Sequence, residues 1–211
     1  VTAASGLLGK LVLDELLTKV AAGDIVAVVR DPAKLADYAA KGIEVRKADY
    51  EDVESLKAAF SGVDRVLFIS GNAVGERERQ HGNVIDAAKA AGVSYISYTS
   101  ILHGDRSALP LAEEHVITEK LLAKSGLNFD LLRNGWYSEN YTGGLAPSIE
   151  SGAILGSSGD GRISAATRAD FAAASVAALL GSKGGEIFEL AGDESFTMAE
   201  FAAEVSRQAG K

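Results

Sequence analysis

The sequence predicts an α/β fold: a doubly wound parallel sheet with helices on both faces. Three observations carry that prediction. Short apolar runs alternate with helical patterns along most of the chain. The opening residues, VTAASGLLG, run from a strand end through small side chains into an apolar helix. A second apolar run, Asp24 to Val29, stops at Arg30, 21 positions after Gly9. Alternation of this kind builds parallel strands joined by helical crossovers.

The elements follow in order from the same patterns. A helix over Leu7 to Val20 leads to the strand ending at Arg30. A helix over Pro32 to Ala40 precedes a strand at Ile43 to Arg46, and a helix over Asp52 to Phe60 precedes one at Arg65 to Ser70. Helix Arg77 to Ala91 is followed by strand Tyr95 to Thr99, and helix Leu111 to Lys124 by strand Phe129 to Leu132. After Gly135 the rhythm changes. A loop passes through Tyr141, and a polar glycine-rich stretch occupies Gly156 to Gly161. A helix over Asp170 to Leu180, a strand at Ile187 to Leu190 and a last helix over Phe196 to Gln208 close the chain, with Gly210 as the helix stop. The expected division is 1–135 as the nucleotide-binding core and 136–211 as a site loop, the last sheet elements and the start of a small lobe, in one compact unit.

Composition bounds the function. A chain of 211 residues with 47% hydrophobic side chains can bury one sizeable core. Its net charge of −8, with no basic run among 21 Lys and Arg residues, argues against nucleic acid or an anionic membrane as partner. There is no cysteine, which excludes disulfides and a catalytic thiol and is compatible with a reducing, cytoplasmic setting. His81, His103 and His115 do not form a ligand cluster, so no metal is expected. No apolar stretch reaches membrane length, and no leader is recognised. Only two residues precede the first turn, where a strand takes about five or six, so a preceding piece is expected; the reading also expects further chain beyond Lys211.

A small ligand is therefore the expected partner, and the opening turn says which kind. Small residues let the backbone approach a pyrophosphate, and the helix that follows offers its free N–H groups and positive dipole. Thr2, Ala4, Ser5, Gly6, Leu7, Leu8 and Gly9 form that cradle. Arg30 stands where such folds inspect the adenosine ribose; its guanidinium suits a 2′-phosphate, which favours NADPH over NADH, with Lys34 assisting. Ala3 takes the position where many such turns carry their first glycine. Loops at the carboxyl ends of the strands should converge on one crevice, bringing in Asp49, Tyr50, Ser70, Gly71, Asn72 and Ser100. Asp49 reads equally as an acceptor for the adenine amino group or as a turn aspartate. Asn72 reads as turn chemistry, and Ser70 and Gly71 as backbone contacts.

These segments, together with AVVRDPAK, ADYEDVESL, HGNVIDAAKAAGV, YTSILHGD, LLRNGWYSENY, GDGRISAATRADFA and FELAGDESFT, carry a resemblance along essentially the whole chain. It resembles the NmrA-like branch of atypical short-chain dehydrogenases, which have a Rossmann-type fold, and within that branch the bacterial type-2 NADPH:quinone oxidoreductases. The resemblance implies flavin-free hydride transfer from NADPH to a quinone and a small C-terminal substrate lobe, incomplete here. It allows a homodimer. It places Asn134, Gly135, Trp136, Tyr137, Ser138 and Glu139 beside the nicotinamide and adds Arg168 as a further contact.

Ordinary members of the wider superfamily carry a Tyr-x-x-x-Lys pair as proton donor and its partner; Leu111 and His115 stand at those positions here. The loss suits a quinone acceptor, whose hydroquinone anion is far less basic than an alkoxide. Trp136 and Tyr137 are expected as walls of a flat-ring site, with Tyr137, His103 or His115 as hydrogen-bond donors to the developing oxyanion. The plainer alternatives are core aromatics at Trp136 and Tyr137, a structural His115, and an Arg168 that caps the helix near Asp170. Two rival functions stay open: a dinucleotide sensor without turnover, and a reductase of triphenylmethane or azo dyes.

Overall fold

The computed structural model describes residues 1–210; Lys211, the last residue of the expected C-terminal part, lies outside them. The strands are β1 (Val26–Val29), β2 (Glu44–Lys47), β3 (Arg65–Phe68), β4 (Tyr95–Ile101), β5 (Asn128–Asn134) and β6 (Ile187–Leu190). The helices are α1 (Leu7–Leu17), α2 (Ala36–Ala40), α3 (Val53–Phe60), α4 (Arg77–Ala90), α5 (Pro110–Ser125), α6 (Glu139–Thr142), α7 (Leu145–Ser151), α8 (Arg168–Gly181) and α9 (Met198–Ala209).

Strands β1 and β2 pair in parallel, and β3, β4, β5 and β6 form a second parallel set in that order. Residues 1–4 join the two sets. Val28 donates its amide to Val1 O at 2.8 Å and Ala4 donates to Val28 O at 3.2 Å, while on the other side Thr2 donates to Leu67 O at 3.0 Å. The opening segment thus occupies the central strand position. Chain order reverses across it, so the crevice at the carboxyl ends of the strands lies where doubly wound sheets take their ligands.

The strands alternate their side chains between two apolar layers, as pleating requires. On one face Ala27, Val29, Leu67, Tyr95 and Leu132 meet α1 through Val12, Leu13 and Leu16, and α8 through Phe171, Val176 and Leu179. On the other Val28, Val66, Phe68, Ile96, Tyr98 and Leu131 meet Leu56 and Phe60 of α3, Val84 and Ile85 of α4, and Leu122 of α5. Residues after 135 share this core, since β6 pairs with β5 and α8 packs beside α1.

Several boundaries differ from the sequence reading for local reasons. Helix α1 stops at Leu17, where the Thr18 hydroxyl donates to Glu15 O at 2.7 Å. The Pro32 helix begins as a 3₁₀ turn, capped by Asp31, before α2. The loop expected through Tyr141 folds into α6 and α7. Phe196 lies outside the last helix; it bridges Ile163 in an antiparallel pair, and Thr197 caps α9 instead. Tyr141, Phe196 and Phe201 then pack as an aromatic trio within this C-terminal part.

Candidate functional site

The crevice has a volume of about 510 Å³. Ser5, Gly6, Leu7, Leu8 and Gly9 form one wall, Arg30 and Lys34 a second, Asp49 and Tyr50 a third, and Ser70, Gly71 and Asn72 a fourth, with Tyr137 and Arg168 at the far end. These sequence-predicted residues therefore converge.

The cradle is built by close approach. Gly6 is the N-cap of α1, and no side chain caps that helix, which leaves its first N–H groups to an anion. A Cβ on Gly9 would lie 2.6 Å from Ala3 O and 2.8 Å from Ala4 Cα, so only glycine lets α1 sit this close to the strand end. Ala3 adopts φ +46°, a left-handed conformation that costs a residue with a Cβ about 1–2 kcal/mol. The expected substitution for glycine is thus present as strain. Thr2 and Ala4, by contrast, are fully buried behind the crevice. Thr2 Oγ1 accepts from Ile69 N at 3.0 Å, and the Tyr50 hydroxyl lies 2.6 Å from it and donates to Ile69 O at 2.8 Å.

Arg30 and Lys34 are exposed at the rim and make no ion pair among the described residues, so both charges are available to a ligand. Asp49 lines the crevice while its Oδ1 accepts from Glu51 N at 3.1 Å; the turn role is filled, and Oδ2 remains free among the described residues.

Sequence reasoning missed how the fourth wall is fixed. Ser70 N donates to Thr99 Oγ1 at 2.9 Å, Gly71 N donates to His81 Nε2 at 2.9 Å, and Arg77 Nε donates to Gly71 O at 2.7 Å. Ser70 and Gly71 were expected as backbone contacts to the cofactor; their amides are already satisfied from behind. The signal in the sequence was Arg77 and His81 one turn apart on one helix, both of which turn inward. Burial, with the Arg77 charge beside it, pushes His81 down to about 3, so its imidazole is neutral and free to accept.

Several candidates sit elsewhere. The Ser100 hydroxyl donates to Glu119 at 2.6 Å in a buried network with Arg133, and Thr99 faces the crevice in its place. His115 is buried with its Nδ1 2.9 Å from the Tyr98 hydroxyl; burial and Arg77 push it down to about 4. His103 is exposed in a left-handed turn, its backbone N–H donating to Glu189 at 2.7 Å. Neither histidine lines the crevice. Trp136 is 46% exposed outside it, so it is not a core aromatic either. Gly135 N bonds Leu190 O, and Ser138 N bonds Ala166 O, so both serve the local backbone. Asn134 is buried outside the crevice lining, and neither side-chain amide atom has a hydrogen-bond partner among the described residues.

The far end is held by α8. Thr167 and Asp170 form a reciprocal capping box, so Arg168 is not the cap. Glu139 accepts Arg168 N at 2.9 Å and pairs with its guanidinium at 3.6 Å; Asn140 accepts from the same guanidinium at 3.1 Å. Arg168 is thereby laid over the Tyr137 ring, 4.7 Å from its centroid. Tyr137 is half-buried and packs edge-on against Phe171. Burial raises its hydroxyl, which the Asn134 amide and Arg168 charge partly oppose.

The family model described as NAD(P)H-binding matches residues 3–180. The chain belongs to the NAD(P)H-binding family. Within it, this chain is 52% identical over 213 residues to quinone oxidoreductase 2 of Escherichia coli, covering 100% of this chain and 74% of that one. The crystal structure of an Escherichia coli NADPH-dependent quinone oxidoreductase complexed with NADPH superposes with a TM-score of 0.96 at 51% identity, over 100% of this chain and 75% of that chain. The Citrobacter sp. triphenylmethane reductase complexed with NADP(H) gives a TM-score of 0.95 at 37% identity, with the same coverage. The residues present fit a dinucleotide: an uncapped helix N-terminus, a glycine that no Cβ could replace, and two free cations at the rim. No helix among the described residues is long and apolar enough to cross a membrane, and no cluster of metal-ligating side chains occurs among them.

Proposed function

We propose that this chain catalyses two-electron reduction of a quinone by NADPH without a flavin. The observation that carries the proposal is the crevice itself, where Gly9, Arg30, Tyr137 and Arg168 lie on one continuous surface; the 52% identity to an Escherichia coli quinone oxidoreductase supports it. Residues 1–135 hold the dinucleotide, with the cradle taking the pyrophosphate and Arg30 and Lys34 the 2′-phosphate. The part from 136 onward supplies the substrate side.

NADPH, when bound, supplies a hydride to the quinone. Tyr137 and Arg168 shape the space for a flat ring, and positioning lowers the entropic part of the barrier. The Tyr137 hydroxyl stays protonated because burial raises it, so it can donate a hydrogen bond to the oxygen that gains negative charge. The hydroquinone anion then takes one proton from solvent. Trp136, His103 and His115 have no place in this step.

The test follows the loss of NADPH absorbance with a simple benzoquinone, flavin omitted and the uncatalysed rate subtracted. Rapid turnover with NADPH and poor turnover with NADH is the expected result; tight NADPH binding with no turnover would refute catalysis and favour a sensor. The likeness to an NADP(H)-bound triphenylmethane reductase supports a second reading, and a higher kcat/KM for a triphenylmethane dye than for the benzoquinone would select it.

A further inference from the structure

The wall formed by Ile69, Ser70 and Gly71 is fixed by side chains from distant parts of the chain, and one of them is a neutral histidine with a defined proton position. His81 is fully buried. Its Nε2 lies 2.9 Å from the Gly71 amide, which can only donate, so Nε2 must accept. The ring proton is then on Nδ1, where Thr118 Oγ1 lies at 2.8 Å and the Tyr98 hydroxyl farther off at 3.5 Å. Thr118 in turn donates its own hydroxyl proton to Glu114 O at 3.0 Å, which leaves that oxygen free to accept from His81. Every proton in the series Gly71, His81, Thr118, Glu114 runs in one direction.

The Ser70 carbonyl and the Gly71 N–H belong to one planar trans peptide and point oppositely. With the N–H turned toward His81, the Ser70 carbonyl is directed away from it, and no group among the described residues bonds that oxygen. Ser70 and Gly71 both line the crevice. We infer that His81 is a positioning residue: held as an acceptor by Thr118, it locks the Ser70–Gly71 peptide so that the wall offers the cofactor a carbonyl acceptor, suited to a hydroxyl or amide donor, in place of an N–H. A ring carrying its proton on Nε2 would set donor against donor and turn this peptide. The inference rests on the NADPH reading of the crevice.

Its test uses the purified protein and three variants. In a long-range proton–nitrogen NMR spectrum, wild-type His81 is expected with Nδ1 protonated and Nε2 bare. His81→Leu removes the acceptor and Thr118→Val removes the lock; each should raise the dissociation constant for NADPH roughly three- to tenfold, the loss of about one hydrogen bond, with kcat at saturating NADPH within about twofold. His81→Gln, which restores an acceptor, should recover most of the affinity. A wild-type ring protonated on Nε2 would overturn the inference, as would unchanged affinity in both His81→Leu and Thr118→Val. Wild-type protein that binds no NADPH is a distinguishable result and overturns the cofactor reading itself.

Discussion

Arg30 is the expected determinant of cofactor choice, since no ion pair among the described residues claims its charge. Arg30→Asp should weaken NADPH by roughly 10- to 100-fold, the worth of one or two charge-assisted hydrogen bonds, while NADH changes far less; titration of both nucleotides checks this, and equal losses would refute the phosphate-reading role. Ala3 gives a second residue-scale expectation. Ala3→Gly relieves the φ +46° strain and should stabilise the protein by about 1 kcal/mol, raising Tm by about 2–4 °C in a melting curve. Both residues were legible in the sequence, since offset from a glycine-rich turn is a backbone property. His81 was not, because a lone histidine on a helix does not declare which amide it will face.

At the scale of elements, α8 is held at its start by two independent devices that should separate on mutation. Thr167→Ala removes the capping box and should cost about 1 kcal/mol in chemical denaturation, leaving NADPH affinity nearly intact because Glu139 and Asn140 still hold Arg168. Glu139→Ala should do the reverse in emphasis, freeing Arg168 and raising the KM for NADPH severalfold. Element existence was readable through Leu132 because β1, β3, β4 and β5 are largely buried runs separated by mixed helical patterns; β2, Glu44–Lys47, buries no residue fully. From Gly135 onward the pattern weakened. Helices α6 and α7 are short and bury no residue completely, so they lack the apolar stripe that periodicity detects. Phe196 read as helix for a related reason: its apolar partners, Tyr141 and Phe201, are brought to it by tertiary packing.

At the scale of the molecule, two buried neutral histidines make stability depend on pH. His81 is held at about 3 and His115 at about 4, both below the usual 6.5. The unfolded chain binds these protons and the folded chain does not, so the unfolded state gains from acid. Stability should be fully present above pH 6.5 and fall as the pH drops from 6.5 toward 4. Melting temperatures measured across that interval check the sign, and His115→Gln should flatten the slope. The sequence announced the doubly wound topology, and hence where the crevice opens. It could not announce that Ser100, Asn134 and His115 point away from that crevice, since one position along a strand or helix separates a residue facing the ligand from one facing the core.

The central position of residues 1–4 carries a consequence for how the site comes into being. Thr2 bonds residues 67 and 69 and meets Tyr50, while its neighbours bond Val28. No local stretch of chain can make these contacts alone, and loop closure over such separations is slow to be rewarded. The floor of the crevice is therefore assembled only when both halves of the sheet have met across the opening segment. The complete crevice belongs to the finished sheet, so NADPH bound across it should favour that assembled state over any form in which the opening segment has not joined both halves.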